Sequence, residues 1–178
     1  MNRLCFFFLL GLLVLVCSFL VSCADSAENT AKWHLNKGKE LVTQGQYDDA
    51  ITECTKATEL DPNLAKAYFL RGAAYYYKTQ YDSAITDYGK AIELNPDLGE
   101  VYLNRAIAYC VKKQYDLAIA DCDKVIEIDS SMRALGYLYR GYVHAREGQR
   151  DLATADRDRA IEIDPSLVYS AMSVIYRI

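Results

Sequence analysis

Four basic residues are each followed sixteen positions later by an acid: Lys37 and Glu53, Arg71 and Asp87, Arg105 and Asp121, Arg140 and Asp156. A cation and a carboxylate at a recurring spacing can make a recurring contact. The reading these residues support is an ion pair that joins two helices; a set that grips a ligand is the functional alternative. If partly exposed, each pair contributes about 0–1 kcal/mol and fixes register more than stability. Other reactive chemistry is scarce. His34 and His144 are the two histidines, and neither belongs to a metal-binding or nucleophile motif. The chain has no G-x-S-x-G, no HExxH, no phosphate loop and no CxxC or CxxH spacing. Of six cysteines, Cys5 and Cys17 lie in an apolar leader and Cys23 ends it. Cys54, Cys110 and Cys122 are too dispersed for a disulfide framework and read as free thiols. The sequence therefore points to no catalytic residue, no metal and no cofactor, hence to a protein that is not an enzyme.

The pairs recur because the chain recurs. QYDDAI at Gln46–Ile51 returns as QYDSAI at Gln80 and QYDLAI at Gln114, each 34 residues on. QRDLAT follows at Gln149, 35 residues after the third. ATELDP, AIELNP, VIEIDS and AIEIDP keep the same spacing. A period of this size is the mark of stacked helical units, each burying its apolar face against the next. Small residues at Gly38, Gly72, Ala106 and Gly141 stand opposite Ala50, Ala84, Ala118 and Ala153, so two antiparallel helices can approach closely. Proline after Asp or Asn ends the second helix, because it disfavours helical geometry in the residue before it. First helices are expected over Ala31–Gln44, Ala65–Lys78, Gly99–Lys112 and Ala134–Glu147. Second helices are expected over Tyr47–Leu60, Tyr81–Leu94, Tyr115–Ile128 and Arg150–Ile163.

These residues resemble the tetratricopeptide repeat. That pattern has a small residue at repeat position 8, a large one at 11, Ala at 20, an aromatic at 24, Ala at 27 and Pro at 32. Counted from Ala31, Ala65, Gly99 and Ala134, the second unit holds Gly72, Tyr75, Ala84, Tyr88, Ala91 and Pro96, and the others follow closely. The resemblance covers Ala31 to Leu167. It implies an all-α fold, a right-handed solenoid of four helix-turn-helix repeats (31–64, 65–98, 99–133, 134–167) with a capping helix over 168–178. The departures are Ser130 in place of proline and Arg157 at an aromatic position. With one residue extra at this join, Asp129–Arg133 is expected to form a longer, looser turn.

In the family, ligands lie in the concave groove of the first helices, at positions 2, 5, 9, 12 and 13. Carried over, these positions give a candidate groove of Lys32, Lys39, Lys66, Phe69, Tyr76, Tyr77, Leu103, Ile107, Leu138, Tyr142 and Arg146, with Glu100 as its one acid. The bland reading of each apolar member is that it packs repeat on repeat. The family subclass that grips terminal carboxylates has Lys and Asn at positions 5 and 9; Leu35/Lys39 and Phe69/Ala73 do not match it. The groove implies a partner that is an extended peptide or a helix of another protein. The alternative is an apolar small molecule or glycan, which would make the protein a regulator of an envelope enzyme.

The N-terminus bears on location. Arg3 precedes an apolar run from Leu4 to Val21, and polar residues follow from Asp25. A charged start, an apolar core and small residues make an export signal. Its ending, Leu20-Val21-Ser22-Cys23, resembles the bacterial lipoprotein box, which implies cleavage and diacylation at Cys23. Residues 1–23 are then signal and 24–30 a polar tether, placing the array in the cell envelope on a membrane. Simple cleavage after Ala24, giving a secreted or periplasmic form, and an uncleaved anchor remain the rivals; about 18 apolar residues can just span a bilayer. The resemblance to bacterial envelope lipoproteins of this family implies work in pilus, secretion, outer-membrane or cell-wall machinery. Beyond Cys23, 19 basic residues face 24 acidic ones, a formal charge of −5. No basic patch suits nucleic acid. The apolar stretch Val168–Ile178 is a further candidate contact, for self-association or for a partner.

Overall fold

The computed structural model describes residues 28–168, and among these every regular element is helical. Helix α1 covers residues 28–43. It is followed by α2 (Tyr47–Leu60), α3 (Ala65–Tyr77), α4 (Tyr81–Leu94), α5 (Gly99–Val111), α6 (Tyr115–Ile128), α7 (Arg133–Glu147) and α8 (Arg150–Ile163). A 3-10 turn, Pro165–Leu167, comes last. Successive helices pack as antiparallel hairpins, α1 with α2 through α7 with α8, and the hairpins stack into a solenoid. The four second helices begin and end where the repeat pattern places them. Helix α1 is already helical at Glu28, so the last three residues read as tether belong to it, and Lys32 holds Glu28 at 2.6 Å. Residues 1–27, with the expected export signal and Cys23, and 169–178, most of the expected capping helix, lie outside the described residues.

Two local devices shape each hairpin. At its tip, Gly45, Thr79, Lys113 and Gly148 take positive φ, at the same repeat position. The next residue, always Gln, donates its backbone N–H back to Leu41, Tyr75, Tyr109 or His144 at 2.8–2.9 Å. This left-handed closure satisfies carbonyls that the first helix leaves open. At the far end, Asp61, Asn95, Asp129 and Asp164 stand in extended backbone after the second helix. Each side chain accepts the backbone N–H two residues on, from Asn63, Asp97, Ser131 or Ser166 at 2.9–3.2 Å.

That second device corrects the expectation of a loose join. The connection Asp129–Met132 is four residues long, the same length as Asp61–Leu64 and Asn95–Leu98. The extra residue is Arg133, which becomes the first residue of α7. Asp129 also accepts from Ser131 Oγ at 2.6 Å and Met132 N at 3.2 Å. These bonds, the Ser131 hydroxyl foremost, hold its carboxyl below the usual Asp range. The turn is made by the aspartate, so the absent proline is not missed.

The core is built of small residues. Ala50, Cys54, Ala57, Ala84, Ala91, Ala118, Cys122, Val125 and Ala160 are inaccessible. Cys54, Cys110 and Cys122 are free and buried; burial pushes the Cys54 thiol up to about 12. Thiols so placed are inert fillers.

Three of the four expected ion pairs form. Arg71 holds Asp87 through Nε at 2.7 Å and Nη2 at 2.8 Å. Arg105 holds Asp121 at 2.8 and 2.7 Å, and Arg140 holds Asp156 at 2.8 and 2.6 Å. Each arginine also reaches the preceding repeat: Arg71 donates to Thr55 and Thr58, Arg140 to Asp123, and Arg105 lies against Gly89. The fourth pair does not form. Lys37 turns to Glu40 at 3.1 Å, while Glu53 takes His34 at 2.6 Å and Lys56 at 2.7 Å. Lysine lacks the planar fork that grips a carboxylate at two points. No described helix precedes α1 to cover Lys37, so it stays at the surface.

Candidate functional site

The first helices α1, α3, α5 and α7 lie side by side and bound one cleft of about 370 Å³. Val42 comes from α1; Phe69, Leu70, Ala73, Tyr76 and Tyr77 from α3; Glu100, Asn104 and Ile107 from α5; and Tyr139 from α7. Tyr88 of α4 reaches the cleft from behind and is 1% exposed overall. Helical spacing accounts for the α3 set. Phe69, Ala73 and Tyr76 are four and three residues apart, so they share a face.

Tyrosines form the lip. Tyr77 is 58% exposed and stacks on Tyr47, with ring centres 4.9 Å apart and planes at 12°. Tyr76 meets Tyr77 edge-on at 5.8 Å and Tyr81 at 5.5 Å. Burial raises the Tyr76 hydroxyl above its ordinary value, so at neutral pH it is a hydrogen-bonding phenol and not a phenolate. Aromatic faces linked in this way form a rigid surface with little side-chain entropy left to lose on binding.

The structure divides the candidate groove residues. Phe69, Tyr76, Tyr77 and Ile107 line the cleft together. Tyr142 packs against the core of repeats three and four, and its ring carries the Arg146 guanidinium at 6.0 Å. Lys32, Lys39 and Lys66 are exposed but do not line the cleft. Leu103 and Leu138 are corrected: they are 5% and 6% exposed and do not line the cleft; Leu103 packs in the core shared by repeats three and four, and Leu138 packs against Ala160 inside repeat four. Asn104, Tyr139 and Leu70 were not anticipated. They share repeat position 6, one residue beyond the face that the family pattern names. Tyr47 and Tyr81 also back the lip. Their recurrence as the first residue of a second helix, one hairpin turn from position 13, was the available signal.

Among the described residues no group of three or more His, Cys, Asp or Glu is placed to hold a metal ion. No helix among them is long and apolar enough to cross a membrane.

Family models for the TPR repeat match residues 38–79, and those for the tetratricopeptide repeat match 65–98 and 99–132. Together these span more than half of the chain. The chain belongs to the tetratricopeptide repeat family. The fourth TPR unit falls outside the matched segments, but α7 and α8 form the same hairpin, with the same Arg140–Asp156 pair. No match was found among curated proteins. Solved structures share the TPR fold. A crystal structure of MamA is 26% identical with a TM-score of 0.72, covering 82% of this chain and 84% of that one. PilF of Pseudomonas aeruginosa is 17% identical with a TM-score of 0.73, covering 85% and 70%. The first TPR of Spaghetti, bound to an HSP90 peptide, is 24% identical with a TM-score of 0.58, covering 72% and 94%. TPR solenoids are protein–protein interaction scaffolds, and this chain has that architecture.

Proposed function

We propose that the protein is a non-enzymatic scaffold which receives an extended peptide, or a partner helix, in the cleft of its first helices. The observation that carries this reading is the cleft itself. One surface draws on all four repeats, and its lip is a linked row of tyrosines. Its mouth holds exposed Tyr77 and Glu100, so it is a trough along the array and not a sealed chamber. A trough suits a chain that crosses several repeats, whereas a small apolar molecule is better held by an enclosed cavity. Rigid aromatic anchors are the residues that most often dominate binding energy. Tyr76→Ala should weaken a captured peptide by about 2 kcal/mol, roughly thirtyfold. Leu152→Ala, at an exposed position near the start of α8 and outside the cleft lining, should leave binding unchanged. Titration of a selected peptide against both variants by fluorescence anisotropy decides. Equal affinity for the two would place binding elsewhere.

The scaffold is anchored in a bacterial cell envelope through a lipid on Cys23. Support comes from the Leu20-Val21-Ser22-Cys23 sequence at the end of the apolar run. With Glu28 already helical, the polar stretch between Cys23 and the described helix is at most four residues, or about 14 Å when extended. The array would sit against the bilayer. Cys23→Ala should abolish metabolic labelling by a fatty acid and release the protein from membranes. A wild-type chain that takes no label yet stays in the membrane fraction would instead favour an uncleaved anchor.

A further inference from the structure

The cleft has a sign. Glu100 is the one charged residue that lines it, and among the described contacts its carboxylate has no hydrogen-bond or ion-pair partner. One turn on, Asn104 donates its amide to the Glu100 backbone carbonyl at 2.8 Å, which leaves its side-chain oxygen as a second acceptor. The cations nearest in the pattern are engaged elsewhere. Lys32 is held by Glu28 and Arg146 lies over Tyr142, while Lys39 and Lys66 stand outside the lining. An acidic segment would therefore meet a carboxylate and no free cation inside the cleft.

The tyrosines carry the same sign. A ring face attracts a cation through its quadrupole. This molecule uses that contact repeatedly: guanidinium groups lie over Tyr68, Tyr102, Tyr109, Tyr137 and Tyr142 at 5.2–6.0 Å. Among the described residues no cation lies over Tyr76 or Tyr77. Phe69 and Ile107 add apolar lining to the same cleft as these rings and Glu100.

We propose that the segment received here is basic: an extended peptide in which an arginine or lysine neighbours an apolar residue. The apolar side chain rests on Phe69 and Ile107, and the cation meets Glu100 and a tyrosine face. This rests on the groove being a peptide site, and it names the class of partner.

The test selects a phage-displayed library of short random peptides on the full-length chain in detergent. Peptides enriched in Arg or Lys beside Leu, Ile or Phe are expected. Glu100→Lys should weaken them by about fivefold or more, since it removes an attraction and adds a repulsion, and should turn selection toward acidic peptides. Glu100→Gln should fall between the two. Glu100 is exposed, so neither variant threatens the fold. Peptides that depend on Tyr76 but lack basic residues, or that ignore Glu100→Lys, would overturn this inference and leave the groove reading standing. Peptides indifferent to Tyr76→Ala would overturn both. A dimer seen in sedimentation and broken by Tyr76→Ala would put a second copy in the cleft, which also overturns it.

Discussion

Asp121→Ala should destabilise the solenoid by about 3 kcal/mol. The aspartate is 8% exposed at its side chain and Arg105 is 19% exposed, so little solvent is available to replace the lost partner. Two parallel hydrogen bonds disappear, and the guanidinium stays behind, packed between Tyr102 and Tyr109 with its back to Gly89. Leaving a buried charge unpaired costs more than the pair contributes in place, which is why the loss exceeds the value of an ordinary hydrogen bond. Repeat one supplies the control. Lys37 and Glu40 are exposed and interact at 3.1 Å, so Lys37→Ala should cost at most about 1 kcal/mol. Thermal unfolding by circular dichroism compares the two. Losses of equal size would mean that the buried pairs are surface pairs in all but position. The loss at Asp121 should also divide the array, since Arg105 joins α5 to α6 and touches α4. Hydrogen exchange should then show repeats two and three opening apart before either melts.

The fold was legible because its determinants are local and repeated. Four copies of a small residue facing an alanine twelve positions on define where helices touch, and nothing distant in sequence has to be known. The second helices follow from this directly: Tyr47–Leu60 starts after the tip glutamine and ends at an Asx turn. The join at Ser130 was misjudged because proline was credited with ending the helix. In every repeat the Asp or Asn before that site makes the turn by its own side chain. Lys37 was misjudged because pairing was treated as a property of one hairpin, whereas the arginines are held by the preceding repeat as well. The cleft was legible in part. Position within a helix tells which face a side chain takes, so Phe69, Tyr76 and Ile107 could be placed. It does not tell how the next repeat is rotated. That rotation buries Leu103 and brings in Asn104 and Tyr139, while Leu138 is covered inside its own hairpin by Ala160.

Gly72 and Tyr88 should show strong coupling of opposite sign. A Cβ at Gly72 would stand 2.8 Å from two ring carbons of Tyr88 and 3.2 Å from the Ala84 carbonyl oxygen. The ring cannot retreat easily: Tyr88 is 1% exposed, packs in the core of repeats two and three, and meets Phe69 at 6.1 Å. Overpacking of this kind costs about 1–3 kcal/mol, offset by roughly 0.5–1 kcal/mol from the better helix propensity of alanine. Tyr88→Ala acts in the other direction. It removes a large buried ring, opens a cavity beneath Phe69 and should cost about 3–5 kcal/mol. In the double variant the new methyl meets no ring and fills part of the space left behind. Its helix propensity is then a net gain, so the double variant should be more stable than the sum of the two losses predicts by about 1 kcal/mol or more. Tyr88 also forms the back of the cleft, so peptide binding should fall in Tyr88→Ala and stay low in the double variant even as stability returns. Chemical denaturation and peptide titration on the four proteins separate these effects. Additive stabilities would show that Tyr88 moves aside for a methyl at Gly72, and binding restored with stability would show that the floor of the cleft is set by overall folding and not by this ring.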